Sequence, residues 1–200
     1  MTRDERHSKL RAEMESNGCR AIEVSYSVGK ASLLGLCCSA PLALLIGFGW
    51  FGLFAGRGIN IYDTRPFVVL LIAFLASAFA HEALHCIGWR CAGKLRPGCI
   101  HIAMGVFFPS CHCSAPMKGR AYLAGVLLPV AVLGFAPAVA SFAAPNLYLM
   151  FFAVLGILAS GGDLLLSVRA AGHLGDMIAD HPSRVGFVSF KKTAFPLSVL

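Results

Sequence analysis

Four long apolar stretches constrain the fold of this chain more than any other feature of its sequence. Each is 22 or 23 residues long, and they cover residues 32–54, 67–89, 121–142 and 147–168. A helix needs about 20 residues to cross the hydrocarbon core of a bilayer. Since 57% of the 200 residues are hydrophobic and only 14% are charged, too little polar surface remains to cover four such helices in water. The sequence therefore predicts four transmembrane helices.

The lysines and arginines are distributed unevenly around these stretches. Six precede the first stretch, two follow it, five follow the second, none follow the third and four follow the fourth. Because cytoplasmic loops carry an excess of basic residues, both termini are predicted in the cytoplasm, where 15 of the 17 basic residues would then lie. We therefore predict a multi-pass protein of the cell (inner) membrane. This topology accounts for the net charge of +7, so nucleic-acid binding is not predicted.

The predicted fold class is an all-α polytopic membrane protein with small cytoplasmic β segments. A charged surface helix is expected over residues 3–17, ended by Gly18, and the alternating pattern of residues 21–27 predicts a short strand. Further strands are expected over residues 185–190 and within the apolar segment 99–108, which could form a hairpin at the membrane face.

The domain organisation follows from the same stretches. We expect a cytoplasmic N-terminal segment over residues 1–31, a four-span membrane domain over residues 32–170 and a cytoplasmic tail over residues 171–200. Pro129 and Pro137 are expected to kink the third stretch, and a simple role in helix packing is an equally favoured interpretation.

The chain has eight cysteines, but their predicted compartment is reducing, which keeps thiols free. No disulfide is therefore predicted. The segment Cys111-His112-Cys113 could form a second, structural metal site with neighbouring cysteines and His101. Its spacing lacks the paired CxxC pattern of such sites, so free thiols and a loop histidine are the favoured interpretation.

The second stretch contains the motif His81-Glu82-Ala83-Leu84-His85. Residues i and i+4 of a helix share one face, so His81 and His85 can bind one metal ion together. Glu82 projects beside them, where it can act on a water molecule rather than on the metal. Two packed histidines are the alternative, but ionisable side chains at membrane depth cost about 2.5–3.5 kcal/mol each and usually mark function. The motif therefore predicts a zinc (Zn2+) site with Glu82 as catalytic base.

Asp163 and Glu82 are the only carboxylates in the four stretches. A catalytic zinc ion needs three protein ligands and one open position, and Asp163 is the predicted third ligand. The histidines are 4 and 8 residues from the cytoplasmic end of their stretch and Asp163 is 5 residues from the end of its own, which places all three about 6–12 Å deep. Gly161 and Gly162 would let the fourth stretch approach closely or unwind slightly. The alternative is a small-residue packing patch in which Asp163 faces an aqueous cleft.

The motif and the later aspartate together resemble the site-2 protease type of intramembrane zinc metallopeptidase. A closer resemblance, over nearly the whole chain, is to a family of small four-span proteins described as putative zincin peptidases. It is carried by HEALH, by CHC at residues 111–113, by SGGDLLLS and by DHP at residues 180–182.

This resemblance implies a zinc peptidase with His81, His85 and Asp163 as metal ligands and Glu82 as base. Site-2 proteases usually show an Asp-Gly pair with an upstream Asn-Pro, whereas two glycines precede Asp163 here. Substrate handling is therefore not carried over from that larger group.

The leading functional hypothesis is metal-assisted hydrolysis of a membrane protein or peptide substrate in contact with the lipid bilayer. Strand addition to the cytoplasmic β segments could hold the substrate. Two alternatives stay open: a membrane metal-binding protein without hydrolysis (a carrier, sensor or scaffold) and a hydrolase acting on a lipid-linked amide or ester. Asp176, Asp180 and His181 are expected in a solvated tail, unless one of them orients a metal ligand. The sequence leaves the oligomeric state open.

Overall fold

The fold is taken from a computed structural model that describes residues 2–54, 56, 65–104 and 109–193. Three parts of the sequence-based predictions lie outside these ranges. They are most of the loop after the first apolar stretch, residues 105–108 of the expected hairpin segment and the last seven residues of the tail.

Helices form most of the described structure. They are α1 (Arg3–Ser16), α2 (Val28–Phe54), α3 (Arg65–Gly93), α4 (Gly119–Pro129), α5 (Ala136–Ala143), α6 (Leu147–Ala159) and α7 (Gly161–Ala170). A π-helical segment, Val130–Phe135, joins α4 to α5, and short 3-10 turns cover Pro97–Cys99 and Ala171–His173. The expected surface helix is confirmed in α1, and Gly18 after it has a positive φ of 76°.

Within the described ranges, three helices are long and apolar enough to cross a membrane: Val28–Phe54, Pro66–Gly93 and Gly119–Ala143, with mean hydropathies of 2.0, 2.1 and 2.2. A fourth crossing is possible if Leu147–Ala159 and Gly161–His173, bent by 53° relative to each other, form one span. Large apolar side chains such as Leu45, Phe48 and Val69 are between 65% and 72% exposed. Such surfaces suit contact with lipid better than contact with water.

The predicted fourth helix is broken. Ser160 ends α6, and α7 starts at Gly161 in a new direction. At this break the backbone of α7 lies directly against α2: a Cβ built on Gly161 would be 2.7 Å from the carbonyl oxygen of Gly35. The expectation that the glycines permit close approach therefore holds for Gly161, whereas a Cβ on Gly162 would meet nothing within 4 Å.

A four-stranded antiparallel sheet lies beside these helices. Its strands are ordered β1 (Cys19–Tyr26), β6 (Val185–Lys192), β5 (Met177–Asp180) and β4 (Met117–Lys118). The predicted strands are confirmed in β1 and β6, which pair from Cys19 opposite Lys192 to Tyr26 opposite Val185. The helices together with small sheets agree with the predicted class, and strands distant in the sequence form one of these sheets.

The sheet separates α1 from the long apolar helices. Val188 and Phe190 pack against Leu10 and Met14 of α1, whereas Phe187 faces the other way, toward Tyr122 of α4. A second, two-stranded sheet pairs β2 (Ile100–Met104) with β3 (Pro109–Cys113). It packs on α3, and β3 also contacts β5. The candidate site lies where α3, α7 and β3 meet.

Candidate metal centre

His81 and His85 lie on one face of α3, one helical turn apart. Their ring centroids are 4.9 Å apart and the rings are nearly perpendicular. His85 is buried, with 6% of its surface exposed, and His81 is half-buried. The i, i+4 spacing therefore brings both imidazoles to one point of the helix surface, as the motif predicts.

The ring of His85 is held in one orientation by α4. Its Nδ1 is 3.0 Å from the carbonyl oxygen of Gly125, and its ring stacks on Trp89 at 5.3 Å. The indole of Trp89 donates to the carbonyl of Tyr122 over 3.2 Å. Gly125 permits this packing, because a Cβ there would be 2.1 Å from Cδ1 of Trp89. With Nδ1 engaged, Nε2 of His85 is left to face the interior of the site.

Asp163, in the first turn of α7, faces both histidines. One carboxylate oxygen is 3.0 Å from Nε2 of His81, and the other is 3.3 Å from Nε2 of His85. The break at Ser160 places this carboxylate near a helix N-terminus, which favours negative charge. The structure thus brings together three candidate ligands from two helices. The nearest of them in sequence on the two helices, His85 and Asp163, are 78 residues apart.

Glu82 is held by the main chain of β3. Its carboxylate accepts a hydrogen bond of 2.5 Å from the amide of Cys111. It also lies near the histidines, since one ligand atom from each of His81, Glu82 and His85 falls within a mutual distance of 4.8 Å. Either Glu82 or Asp163 could therefore complete a set of three ligands. Asp163 fits better, because its two oxygens already contact both Nε2 atoms whereas Glu82 is engaged by an amide.

The donor set is chemically suited to zinc. Imidazole nitrogens and carboxylate oxygens bind this ion at about 2.0–2.2 Å in tetrahedral geometry, which requires ligand atoms about 3.3 Å from one another. Nε2 of His81 lies 3.0 Å from one Asp163 oxygen and Nε2 of His85 lies 3.3 Å from the other, so each histidine has a carboxylate oxygen near that spacing. Two histidines and one carboxylate would also leave the fourth position open for a reacting molecule.

A cavity of about 540 Å³ leads from the site to the edge of the sheet. Glu82, His85 and Asp163 line it, as do Tyr122, His112 and Asp180. The turn between β5 and β6 also lines it, through residues 181–184, and so does Arg3 of α1. The candidate site is therefore accessible from the side of the sheet.

Asp180 also lines this cavity, whereas the sequence predicted it in a solvated tail. Its side chain is only 11% exposed, and it accepts hydrogen bonds from the amide of Cys113 (2.9 Å) and the hydroxyl of Tyr122. Burial raises the pKa of Asp180 to about 6. The DHP motif marked this position, but only the pairing of β5 with β6 shows that it turns inward.

His112 of the CHC segment lies beside Asp180. Its Nδ1 is 3.6 Å from the Asp180 carboxylate. Burial, followed by the positive charge of Arg3, lowers the pKa of His112 to about 4. Burial also raises the pKa of the Cys113 thiol to about 12. Among the described residues these side chains do not form a second group of metal ligands.

The prediction that all cysteines are free is wrong for one pair. Cys86, which follows His85 on α3, is bonded to Cys111 of β3, and their Cα atoms are 6.5 Å apart. The cause is proximity: the strand that supplies an amide to Glu82 runs along the same face of α3. Six other cysteines are free: Cys19, Cys37, Cys38, Cys91, Cys99 and Cys113.

Comparison with known proteins adds one match. Residues 74–172 match the model of a family described as "Putative zincin peptidase". This part of the chain belongs to that family. The matched segment contains His81, Glu82, His85 and Asp163, so the family resemblance found in the motifs is confirmed. No curated protein and no solved structure matches the chain.

Proposed function

We propose that this zincin-family chain is a zinc-dependent peptidase that works within or at the surface of the membrane, similar in type to the site-2 proteases. His81, His85 and Asp163 would hold the metal ion, and Glu82 would be the general base. The observation that supports this best is the Asp163 carboxylate lying within 3.0 and 3.3 Å of both histidines, with Glu82 beside them.

The chemistry is divided between the ion and the chain. A bound zinc ion would polarise the scissile carbonyl and acidify an adjacent water molecule. Glu82 would take the proton from the attacking water and deliver it to the leaving amine nitrogen. The amide of Cys111 would keep the Glu82 carboxylate in place for both transfers. Gly125 and Trp89 would fix the tautomer and ring plane of His85, as partners of metal-binding histidines commonly do.

The proposed location is the cell membrane, with both termini in the cytoplasm. The HEALH motif lies on α3, one of the three helices apolar enough to span a bilayer, and most basic residues flank the spans on one side. In this topology the sheet and α1 lie at the cytoplasmic face. Water would reach the site through the cavity that opens there.

The edge of β3 opposite β2 faces the cavity, and we propose it as the place where an extended substrate segment binds. β3 pairs with β2 on one edge, and on the other edge the amides of Cys111 and Cys113 contact Glu82 and Asp180. In an antiparallel ladder the carbonyl of a residue points to the same side as its amide, so the Cys111 carbonyl faces the cavity as an acceptor. A substrate strand along this edge would place a peptide bond beside Glu82.

The test compares wild-type protein with Glu82→Gln, and with Glu13→Gln as a control on the exposed face of α1. Zinc content and cleavage of a reporter transmembrane helix are measured for each. We expect Glu82→Gln to retain zinc and lose cleavage by about 10²–10⁴-fold, and Glu13→Gln to retain both. Unchanged cleavage in Glu82→Gln would exclude Glu82 as base. Turnover of a lipid-linked amide or ester, without peptide cleavage, would replace the peptidase proposal.

A further inference from the structure

The charged side chains that line the cavity are arranged by sign. The three carboxylates, Glu82, Asp163 and Asp180, are half-buried or more and engaged by amides, hydroxyls or imidazoles. Among the described residues that line it, the lysines and arginines are Arg3 and Arg184, and both are exposed. The exposed part of the cavity lining is therefore cationic, and we call it the mouth, while the carboxylates lie in the interior.

Arg3 reaches the mouth from the first turn of α1. It lines both the large cavity and a small adjoining one that also contains His112 and Asp180. Its charge acts on both of these groups, since it contributes to the lowered pKa of His112 and opposes the burial that raises the pKa of Asp180. α1 is fixed to the sheet through Leu10 and Met14, which keeps Arg3 beside the cavity that it lines.

Arg184 reaches the mouth from the turn between β5 and β6. Its guanidinium lies 3.5 Å from the hydroxyl of Ser25 on β1. Its charge also acts on Glu23 of β1, which contacts His181 at 3.2 Å and accepts a hydrogen bond from the Ser25 hydroxyl over 2.7 Å. Glu23 does not line the large cavity, so its charge lies behind the mouth rather than in it.

Two guanidinium groups at this position would repel the basic flank of an ordinary transmembrane substrate. Cytoplasmic flanks of transmembrane helices are generally rich in lysine and arginine, and like charges at a recognition surface reject such partners. We propose that Arg3 and Arg184 make the cleft selective for substrates that carry acidic residues in the cytoplasmic segment next to the scissile bond. This inference rests on the proposed peptidase function.

Binding to the full-length Glu82→Gln protein in neutral detergent tests the selectivity without requiring turnover. Two fluorescent peptides share one apolar half and differ in a flank of aspartates or lysines, and affinity is measured by anisotropy at low and high salt. We expect the aspartate peptide to bind about tenfold more tightly at low salt. The preference decreases at high salt, because exposed charges are screened.

Variants assign the effect to the two arginines. Adding Arg3→Gln and Arg184→Gln together removes the preference, and adding Arg3→Glu and Arg184→Glu together reverses it. Arg20→Glu, on an exposed position of β1 outside the cavity lining, leaves it unchanged. Equal affinities for the two peptides in Glu82→Gln, or a preference that survives the double substitution, overturn the inference. Loss of the preference when anionic phospholipid is added to the micelles also overturns it, because the arginines would then form a headgroup site.

Cleavage of the same two peptides by wild-type protein separates this inference from the proposed function. Wild-type protein that cleaves both peptides equally well refutes the charge selectivity and leaves the peptidase assignment standing. Selective peptide binding without cleavage by wild-type protein refutes the peptidase assignment, and with it the description of the bound peptide as a substrate.

Discussion

The Asp163 carboxylate on α7 lies 3.0 Å from Nε2 of His81 on α3. This contact joins the two helices that carry the proposed ligands, and the second oxygen extends it to His85 at 3.3 Å. A carboxylate placed between two imidazoles is the arrangement expected around a metal ion. It also makes Asp163 the residue that decides between the proposed ligand set and the alternative in which Glu82 is a ligand.

Removing any one proposed ligand should weaken zinc binding. We expect His81→Ala, His85→Ala and Asp163→Ala each to lower zinc affinity by at least about a hundredfold, because loss of an outer hydrogen-bond partner alone costs 10–100-fold. His101→Ala is the control, since His101 lies on β2 and contacts Ser114. Zinc titration of purified protein measures the effect. Wild-type affinity in Asp163→Ala, combined with loss of zinc in Glu82→Gln, would exchange the roles of the two carboxylates.

The contact between α2 and α7 should depend on Gly161 and not on Gly162. A Cβ on Gly161 would be 2.7 Å from the Gly35 carbonyl oxygen, whereas one on Gly162 would meet nothing within 4 Å. We therefore expect Gly161→Ala to lower stability by about 1–3 kcal/mol and Gly162→Ala to change it little. Thermal unfolding in detergent compares the two variants. Equal unfolding temperatures would mean that α7 does not pack on α2 in this way.

Gly125 should control the orientation of His85. An alanine there would place Cβ 2.1 Å from Cδ1 of Trp89, so the indole would move and disturb the His85 ring that stacks on it. We expect Gly125→Ala to weaken zinc binding by about 10–100-fold. Gly49→Ala, on α2 with nothing within 4 Å of the added carbon, is the control. Zinc affinity unchanged by Gly125→Ala would show that the stack does not orient the ligand.

Local patterns in the sequence were sufficient for the parts of the fold that depend on local properties. Hydropathy predicted the long apolar helices, the i, i+4 spacing predicted that His81 and His85 share a face, and the depth of Asp163 predicted that it could reach them. Alternation predicted β1, and the segment 185–190 was a strand candidate that β6 confirms. The break at Ser160 was only partly anticipated, because the glycines that follow permit a bend without requiring one.

Contacts between segments that are distant in the sequence could not be predicted from sequence patterns. The bond from the Cys111 amide to Glu82, the bond from Cys113 to Asp180 and the pairing of Cys86 with Cys111 all depend on where β3 lies relative to α3. No periodic pattern in the sequence predicts the position of β3 relative to α3. β4 has two residues and β5 has four, so neither is long enough to show an alternating pattern.

Asp180 should give the protein a defined pH dependence of stability. Burial raises its pKa to about 6 in the folded state, whereas an unfolded aspartate titrates near 3.9. Between these values the folded state holds a proton that the unfolded state has lost, so this contribution is complete below about pH 4. It is lost as the pH rises through about 6 and amounts to about 2–3 kcal/mol.

Substituting Asp180→Asn should remove this titration while retaining an acceptor for the Cys113 amide. We expect the variant and wild-type protein to have similar stability at pH 4, and the variant to be more stable at pH 7.5. Asp176→Asn is the control, because the pKa of Asp176 is shifted in the opposite direction. Burial would raise this pKa, but the hydrogen bonds from His173 and Ser189 outweigh burial and lower it. That variant should be less stable than wild type at neutral pH, with the difference disappearing as the pH falls. Thermal unfolding curves recorded from pH 4 to 7.5 measure the stability of both variants. A difference in stability between Asp180→Asn and wild type that does not change with pH would show that Asp180 is not buried in the folded protein.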